Sequence, residues 1–332
     1  MTCSCTSNNS IKLLVSTNRT LIMGIAMVLV VLFHQPFENE GILWEIFHRY
    51  GYWGADMFLF ISGMGIVNSL GTHTIRRFYL NRCWRILPAC VINGAVVTIL
   101  HIMSKDGIDS LRFPIWFYLT SMTYWYITAI IVYYALAPFF FFYLKKIGWL
   151  FVVLSTLLAL LYIYKIYQFL IPFFFTYRWY VEMVVGHIPV FILGMYIGIN
   201  DVKSKSSFLI LSTLAFITAV IVTEDVGGIT NLVGSGYIFV LIMGAMPFLI
   251  LSINCIARFC PDRFRKGIEW IGCLTLEIYL LHDFAFQLVY NFEVCKKDFL
   301  KFPISIVLSL FLALFLQKIT QYVRTLLVKI VD

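Results

Sequence analysis

Residues 21–33 read LIMGIAMVLVVLF, an uncharged run that ends on His34. A stretch of this kind belongs in hydrocarbon, and several like it follow along the chain. With 61% hydrophobic and only 13% charged residues, the sequence lies far from a soluble domain, in which about a quarter of residues are charged. The runs are continuous rather than alternating, which argues for helices and against a membrane β-barrel. The fold class expected is an all-α polytopic membrane protein.

Ten segments are long and apolar enough to be candidate spans: 21–37, 51–70, 84–103, 124–143, 147–164, 181–199, 207–223, 233–257, 270–291 and 302–323. The stretch KIYQFLIPFFFTYRWY at 165–180 fits a re-entrant or interfacial aromatic segment equally well. The N-terminal MTCSCTSNNSIKLLVSTNR has no compact apolar core with a small-residue cleavage site, so the run from Leu21 is expected to stay as a first span. The whole of 1–332 is expected to form one integral-membrane unit. Residues 1–20 form a cytoplasmic N-terminal segment, 21–323 the transmembrane core and 324–332 a cytoplasmic tail.

With both termini inside, 17 of the 25 basic residues fall on the cytoplasmic side, which the positive-inside rule favours. The net charge of +8 is thus a topology signal and no nucleic-acid footprint. Eight cysteines show no CxxC pair or metal-type spacing, so neither a disulfide framework nor a metal site is expected.

Sidedness converts sequence position into depth through the helical rise of about 1.5 Å per residue. His34 falls in the outer third of the bilayer, roughly 20 Å from the inner end of its span. Asp56, His187 and His282 come to the same layer, and Trp125 and Tyr126 open the fourth span there. Ionisable groups at such depth carry pathways, partners or reactions, though independent helix–helix hydrogen bonds are the alternative. A His34–Asp56 pair could orient and charge-stabilise a general base. Asp283, adjacent to His282, should point away from it, and Glu277 needs a buried partner such as an arginine. His187 precedes Pro189 and could simply satisfy backbone that the proline frees.

On the opposite side, HTIRRFYLNRCWRILP at 73–88 holds Arg76, Arg77, Arg82 and Arg85. Arg82 and Arg85 are three residues apart at the start of a helix, so their guanidinium forks can face a phosphorylated ligand together. Anionic lipid headgroups are the competing partner for such charge. Gly63 and Gly65 in FLFISGMGI suit close helix approach, and Ser62 is a weaker candidate as a nucleophile.

Together these segments resemble the membrane-bound acyltransferase 3 family of bacterial O-acyltransferases. The matching stretches are GIAMVLVVLFH at 24–34, GYWGADMFLFISGMGI at 51–66, FYLNRCWRILP at 78–88, YWYITAIIVYYALAP at 124–138, IPVFILGMYIG at 188–198 and TLEIYLLH at 275–282. The resemblance implies a ten-helix core in the bacterial inner membrane. It would use cytoplasmic acyl-CoA, often acetyl-CoA, to acylate a hydroxyl of a carbohydrate, a lipid-linked glycan or another envelope acceptor. His34 falls on the family's essential histidine, Arg82 and Arg85 on the pair that meets the coenzyme's phosphates, and Asp56 on its acidic residue. His282 would stand as a second polar group at the reacting centre. Arg76 and Arg77 would add charge for the coenzyme, and Trp125, Tyr126 and His187 would face the acceptor. Membrane lipids surround the whole; neither a metal nor nucleic acid is expected. Met23 departs from the pattern, standing where the family typically carries an arginine. Arg19, one turn earlier on roughly the same face, is about 6 Å nearer the cytoplasm. Two other readings stay open: an inactive family member, and a proton-coupled transporter or flippase of a glycan or small anion. The latter would show inverted repeats, and none is evident in the sequence.

Overall fold

The computed structural model describes residues 10–35, 42–102, 121, 124–169, 178–200, 202–203, 206–226, 237–291 and 298–331. In chain order the helices are α1 Ile11–Thr17, α2 Arg19–Phe33, α3 Ile42–Tyr50, α4 Trp53–Thr72, α5 Ile75–Ile102, α6 Trp125–Ile147 and α7 Trp149–Phe169. They continue as α8 Arg178–Gly186, α9 Ile188–Ile199, α10 Ser206–Val226, α11 Tyr237–Ala257, α12 Asp262–Cys273, α13 Thr275–Asn291 and α14 Asp298–Val331. Among the described residues no β-strand forms, only an isolated bridge between Ser10 and Lys203.

Among these residues seven helical segments can cross a bilayer by length and composition, and up to nine if each of two sharply bent pairs counts as one span. Leu158 on α7, Leu211 on α10 and Phe311 and Phe315 on α14 are exposed at 60% or more. A belt of that size would drive aggregation in water and is the lipid-facing surface of a bilayer protein. The protein is therefore an all-α, multi-pass membrane protein. Segments Trp53–Thr72 and Tyr180–Ile199 are each 72% buried, against 17% for Ser207–Glu224, which places α4 and α8–α9 at the centre and α10 at the rim.

Several expected spans are not straight rods. The first is α1 and α2 bent by 77° at Asn18, and α2 stops at Phe33 rather than at 37. The ninth is α12 and α13 bent by 85° at Leu274. The sixth is α8 and α9 meeting at His187, where Pro189 occupies the first turn of α9 and cannot continue the preceding ladder. The basic stretch at 73–88 is already helical from Ile75. Residues 170–177, within the expected aromatic segment, lie outside the described residues.

The bend at Asn18 is tied on both sides. Its Nδ2 donates to Asn254 Oδ1 at 2.6 Å, and its Oδ1 accepts from Arg265 Nη2 at 2.9 Å, joining the start of α2 to α11 and α12. Glycines set the helix spacing around it. A Cβ on Gly24 would stand 2.0 Å from the carbonyl oxygen of Ile268, and one on Gly194 2.1 Å from that of Phe60. Backbone-to-backbone approach of this kind holds membrane helices together without a hydrophobic drive between them. At the far end, Arg49 bridges Glu45 and Glu224, and Tyr50 donates to Glu224. These contacts clamp α3 to α10 at the same end as His34, whose neighbour Phe33 lies 5.9 Å from the His48 ring.

Candidate active site

His34 is the residue on which α2 ends, with φ −88° and ψ 0°, and it is exposed. Its ring Nδ1 lies 2.8 Å from the carbonyl oxygen of Val30. A carbonyl can only accept, so Nδ1 carries a proton, and in the neutral ring Nε2 then presents a lone pair. The same arrangement recurs at His282, whose Nδ1 lies 2.8 Å from Tyr279 O and 3.1 Å from Ile278 O. His187 repeats it on Met183 O at 2.6 Å. In each case the backbone selects the tautomer and turns Nε2 away from its own helix.

The His34 and His282 rings meet edge to face, with centroids 4.9 Å apart. Asp283 Oδ1 stands 3.3 Å from His282 Nε2, correcting the expectation that it points away. Successive Cβ vectors on a helix diverge by about 100°, but a short carboxylate swinging across meets the far end of a long imidazole. Gln35, buried beside His34, has a side-chain oxygen without a hydrogen-bond partner among the described residues.

Asp56 belongs to a different pair. It is wholly buried on α4, and its Oδ1 faces His187 Nε2 at 3.5 Å, so its partner is His187 rather than the expected His34. A shared depth along the bilayer does not imply contact, and lateral position separates Asp56 from His34. The Trp125 ring lies 4.7 Å from His187. His187 therefore does two things: Nδ1 satisfies a carbonyl left by the helix break, and Nε2 faces the carboxylate.

Between the two clusters runs a file of rings. Trp125 and Tyr126 are 6.2 Å apart, Tyr126 and Tyr279 4.9 Å, and Tyr279 and His282 5.7 Å. Tyr126 and Tyr279 also line a narrow cleft of about 60 Å³, together with Arg19, Met23, Ser62, Arg85 and Tyr134. The Arg19 guanidinium rests on Gly65, where a Cβ would meet Nη2 at 3.2 Å. Arg82 lies over the Tyr134 ring at 5.3 Å and the Phe78 ring at 5.6 Å. Arg85 is exposed at the cleft, and its charge acts on Glu277 from there. Arg76 and Arg77 are exposed on the first turn of α5 and are not among the residues lining the cleft.

Arg19, Tyr279 and Asp283 are thus the members of this region that the sequence did not single out as site residues. Arg19 was visible only as a neighbour of Met23, and the structure places both on one cleft wall. The arrangement combines a cationic end, a walled passage and a histidine lone pair beside a second histidine and a carboxylate. Those are the parts that proton abstraction next to an anionic substrate requires.

A family model described as an acyltransferase domain matches residues 21–318. No curated protein and no solved structure matches the chain.

Proposed function

The chain belongs to the acyltransferase 3 family, and we propose that it is an O-acyltransferase moving an acyl group, probe substrate acetyl, from acyl-CoA to a hydroxyl. The acceptor class is a glycan, free or lipid-linked, or another envelope molecule, and the setting is the bacterial inner membrane. The observation that carries this reading is the cleft itself. It begins at Arg19 and Arg85 and reaches Tyr279, whose ring adjoins His282 and through it His34.

On this reading the coenzyme's phosphates dock on Arg82 and Arg85, with Arg19 supplying charge that Met23 does not. Arg76 and Arg77 raise the local potential without touching the ligand. The pantetheine arm follows the cleft past Ser62 towards Tyr279. From Arg19 to His34 the helix advances about 22 Å, a distance that an extended arm of this kind has to cover. The acceptor hydroxyl gives its proton to His34 Nε2 as its oxygen attacks the thioester carbonyl. The C–S bond then breaks, and the coenzyme leaves as a thiol after taking up that proton. His282 and Asp283 balance the positive charge that passes over His34. Asp56, His187, Trp125 and Tyr126 form the wall on the acceptor side.

Equilibrium binding of coenzyme A to the purified protein tests the donor half. Losing one charge-assisted contact costs about 1.5–3 kcal/mol, so Arg82→Ala and Arg85→Ala should each weaken binding roughly 10- to 100-fold. Wild-type affinity in both variants would overturn the assignment of the donor site.

A further inference from the structure

His34, His282 and Asp283 each bring a ligand-type atom within 4.8 Å of the other two. Those atoms share an unusual condition. His282 Nδ1 is committed to two backbone carbonyls, so in the neutral ring Nε2 is a lone pair, and it faces Asp283 Oδ1 at 3.3 Å. Two acceptors at that distance repel unless positive charge lies between them. His282 is 1% exposed, and its Nε2 has no hydrogen-bond partner. His34, tethered to Val30 O through Nδ1, adds a third lone pair from another helix. The pair therefore calls for positive charge between its atoms, which a proton or a metal ion can supply.

We propose that His34, His282 and Asp283 bind one divalent transition-metal ion of the zinc class. Two imidazoles and one carboxylate are a donor set for zinc, cobalt or nickel rather than for magnesium or calcium. Ligand atoms on a tetrahedral zinc stand roughly 3.3–3.5 Å apart, given zinc–ligand distances of about 2.0–2.1 Å. The His282–Asp283 pair already has this separation, and His34 closes by an ångström or so at the exposed end of its helix. Both imidazoles also have the outer-shell arrangement of metal-bound histidine, with the second ring nitrogen donating to a backbone carbonyl. The fourth position opens outward beside His34. Sequence spacing could not show this site, because its two parts lie near opposite ends of the chain.

One consequence rests on the acyl-transfer reading. The ion would occupy the His34 lone pair that accepts the hydroxyl proton, so the metal-loaded protein would be inhibited.

The test uses the full-length protein, purified without a polyhistidine tag and stripped with chelator. Zinc content after removal of free metal and the visible absorption of added cobalt(II) are both measured. The expected result is about one equivalent and a tetrahedral cobalt spectrum. His34→Gln and Asp283→Asn, two side chains with exposed surface, should each weaken binding on the order of 10- to 100-fold or more. Thermal unfolding of each variant reports whether it is folded. No bound metal in the wild type means that a proton alone fills the site, and the proposal is overturned. Equal binding by both variants overturns it as well, since the metal then sits elsewhere, for instance on cysteine. Neither readout needs a substrate, so absence of acyl transfer would leave the metal result standing. Conversely, acyl transfer that zinc does not inhibit would sink the inhibitory consequence alone.

Discussion

Histidines 34, 187 and 282 share one local device, with ring Nδ1 on the carbonyl four residues back and Nε2 turned outward. What differs is the group each lone pair meets. His34 opens to the exterior, His282 faces Asp283, and His187 faces Asp56 in full burial. The Asp56–His187 contact holds together only if one proton is shared between them. Removing the imidazole leaves a buried carboxylate alone, which costs about 3–5 kcal/mol where it has been measured in buried pairs. His187→Ala should therefore lower the thermal unfolding midpoint in detergent, and His187→Ala with Asp56→Asn should recover part of the loss. Additive losses in the double variant would show that the two side chains do not interact. The sequence suggests one layer for these residues, because each sits at a countable distance from the end of an apolar run. Their pairing was not legible in it. Depth is a single coordinate, and assigning Asp56 to His34 assumed a lateral contact that the packing of α4 against α9 gives to His187.

Helix α2 shows why the elements themselves were only partly readable. Its apolar character is plain in LIMGIAMVLVVLF, and its polar end at His34 is equally plain. The breaks at Asn18, His187 and Leu274 left weaker traces. Leu274 is itself apolar, so hydropathy runs through the bend, and Asn18 precedes the run entirely. The glycines carried a better signal. Gly63 was read as a point of close helix approach and lies against the Phe191 carbonyl, where a Cβ would stand 2.2 Å away. Gly65 instead makes room for the Arg19 guanidinium. Gly24 sets the crossing of α2 and α12, where any side chain meets the Ile268 backbone rather than a movable side chain. Gly24→Leu should therefore force the helices apart, at a cost of roughly 1–3 kcal/mol or more. Gly267→Ala, which meets nothing within 4 Å, is the control. Thermal unfolding of the two variants checks this: a midpoint for Gly24→Leu equal to that of Gly267→Ala would contradict the crossing.

Taken whole, the molecule is polarised from end to end. Arginines 19, 82 and 85 gather where α2 begins, and two histidine–carboxylate groups lie in the layer where it ends, with a file of aromatic rings between them. On the proposed reading the arginine end faces the cytoplasm, the side that the positive-inside rule favours for it. This polarity was readable from the sequence, since charge asymmetry and run length need no tertiary detail. The cleft was not, because its wall comes from α2, α4, α5, α6 and α13, and no local pattern records which helices adjoin. A transporter with the same residues would move its substrate without consuming a thioester. The account is tested most directly in proteoliposomes supplied with radiolabelled acetyl-CoA and a glycan acceptor, by following coenzyme A release together with acceptor acetylation. The wild type should release one thiol per acetyl transferred. His34→Gln should slow transfer by roughly 10²- to 10⁴-fold while still binding acetyl-CoA, the loss expected for a positioned general base. Transfer by His34→Gln at the wild-type rate would contradict the assignment of His34 as the proton acceptor.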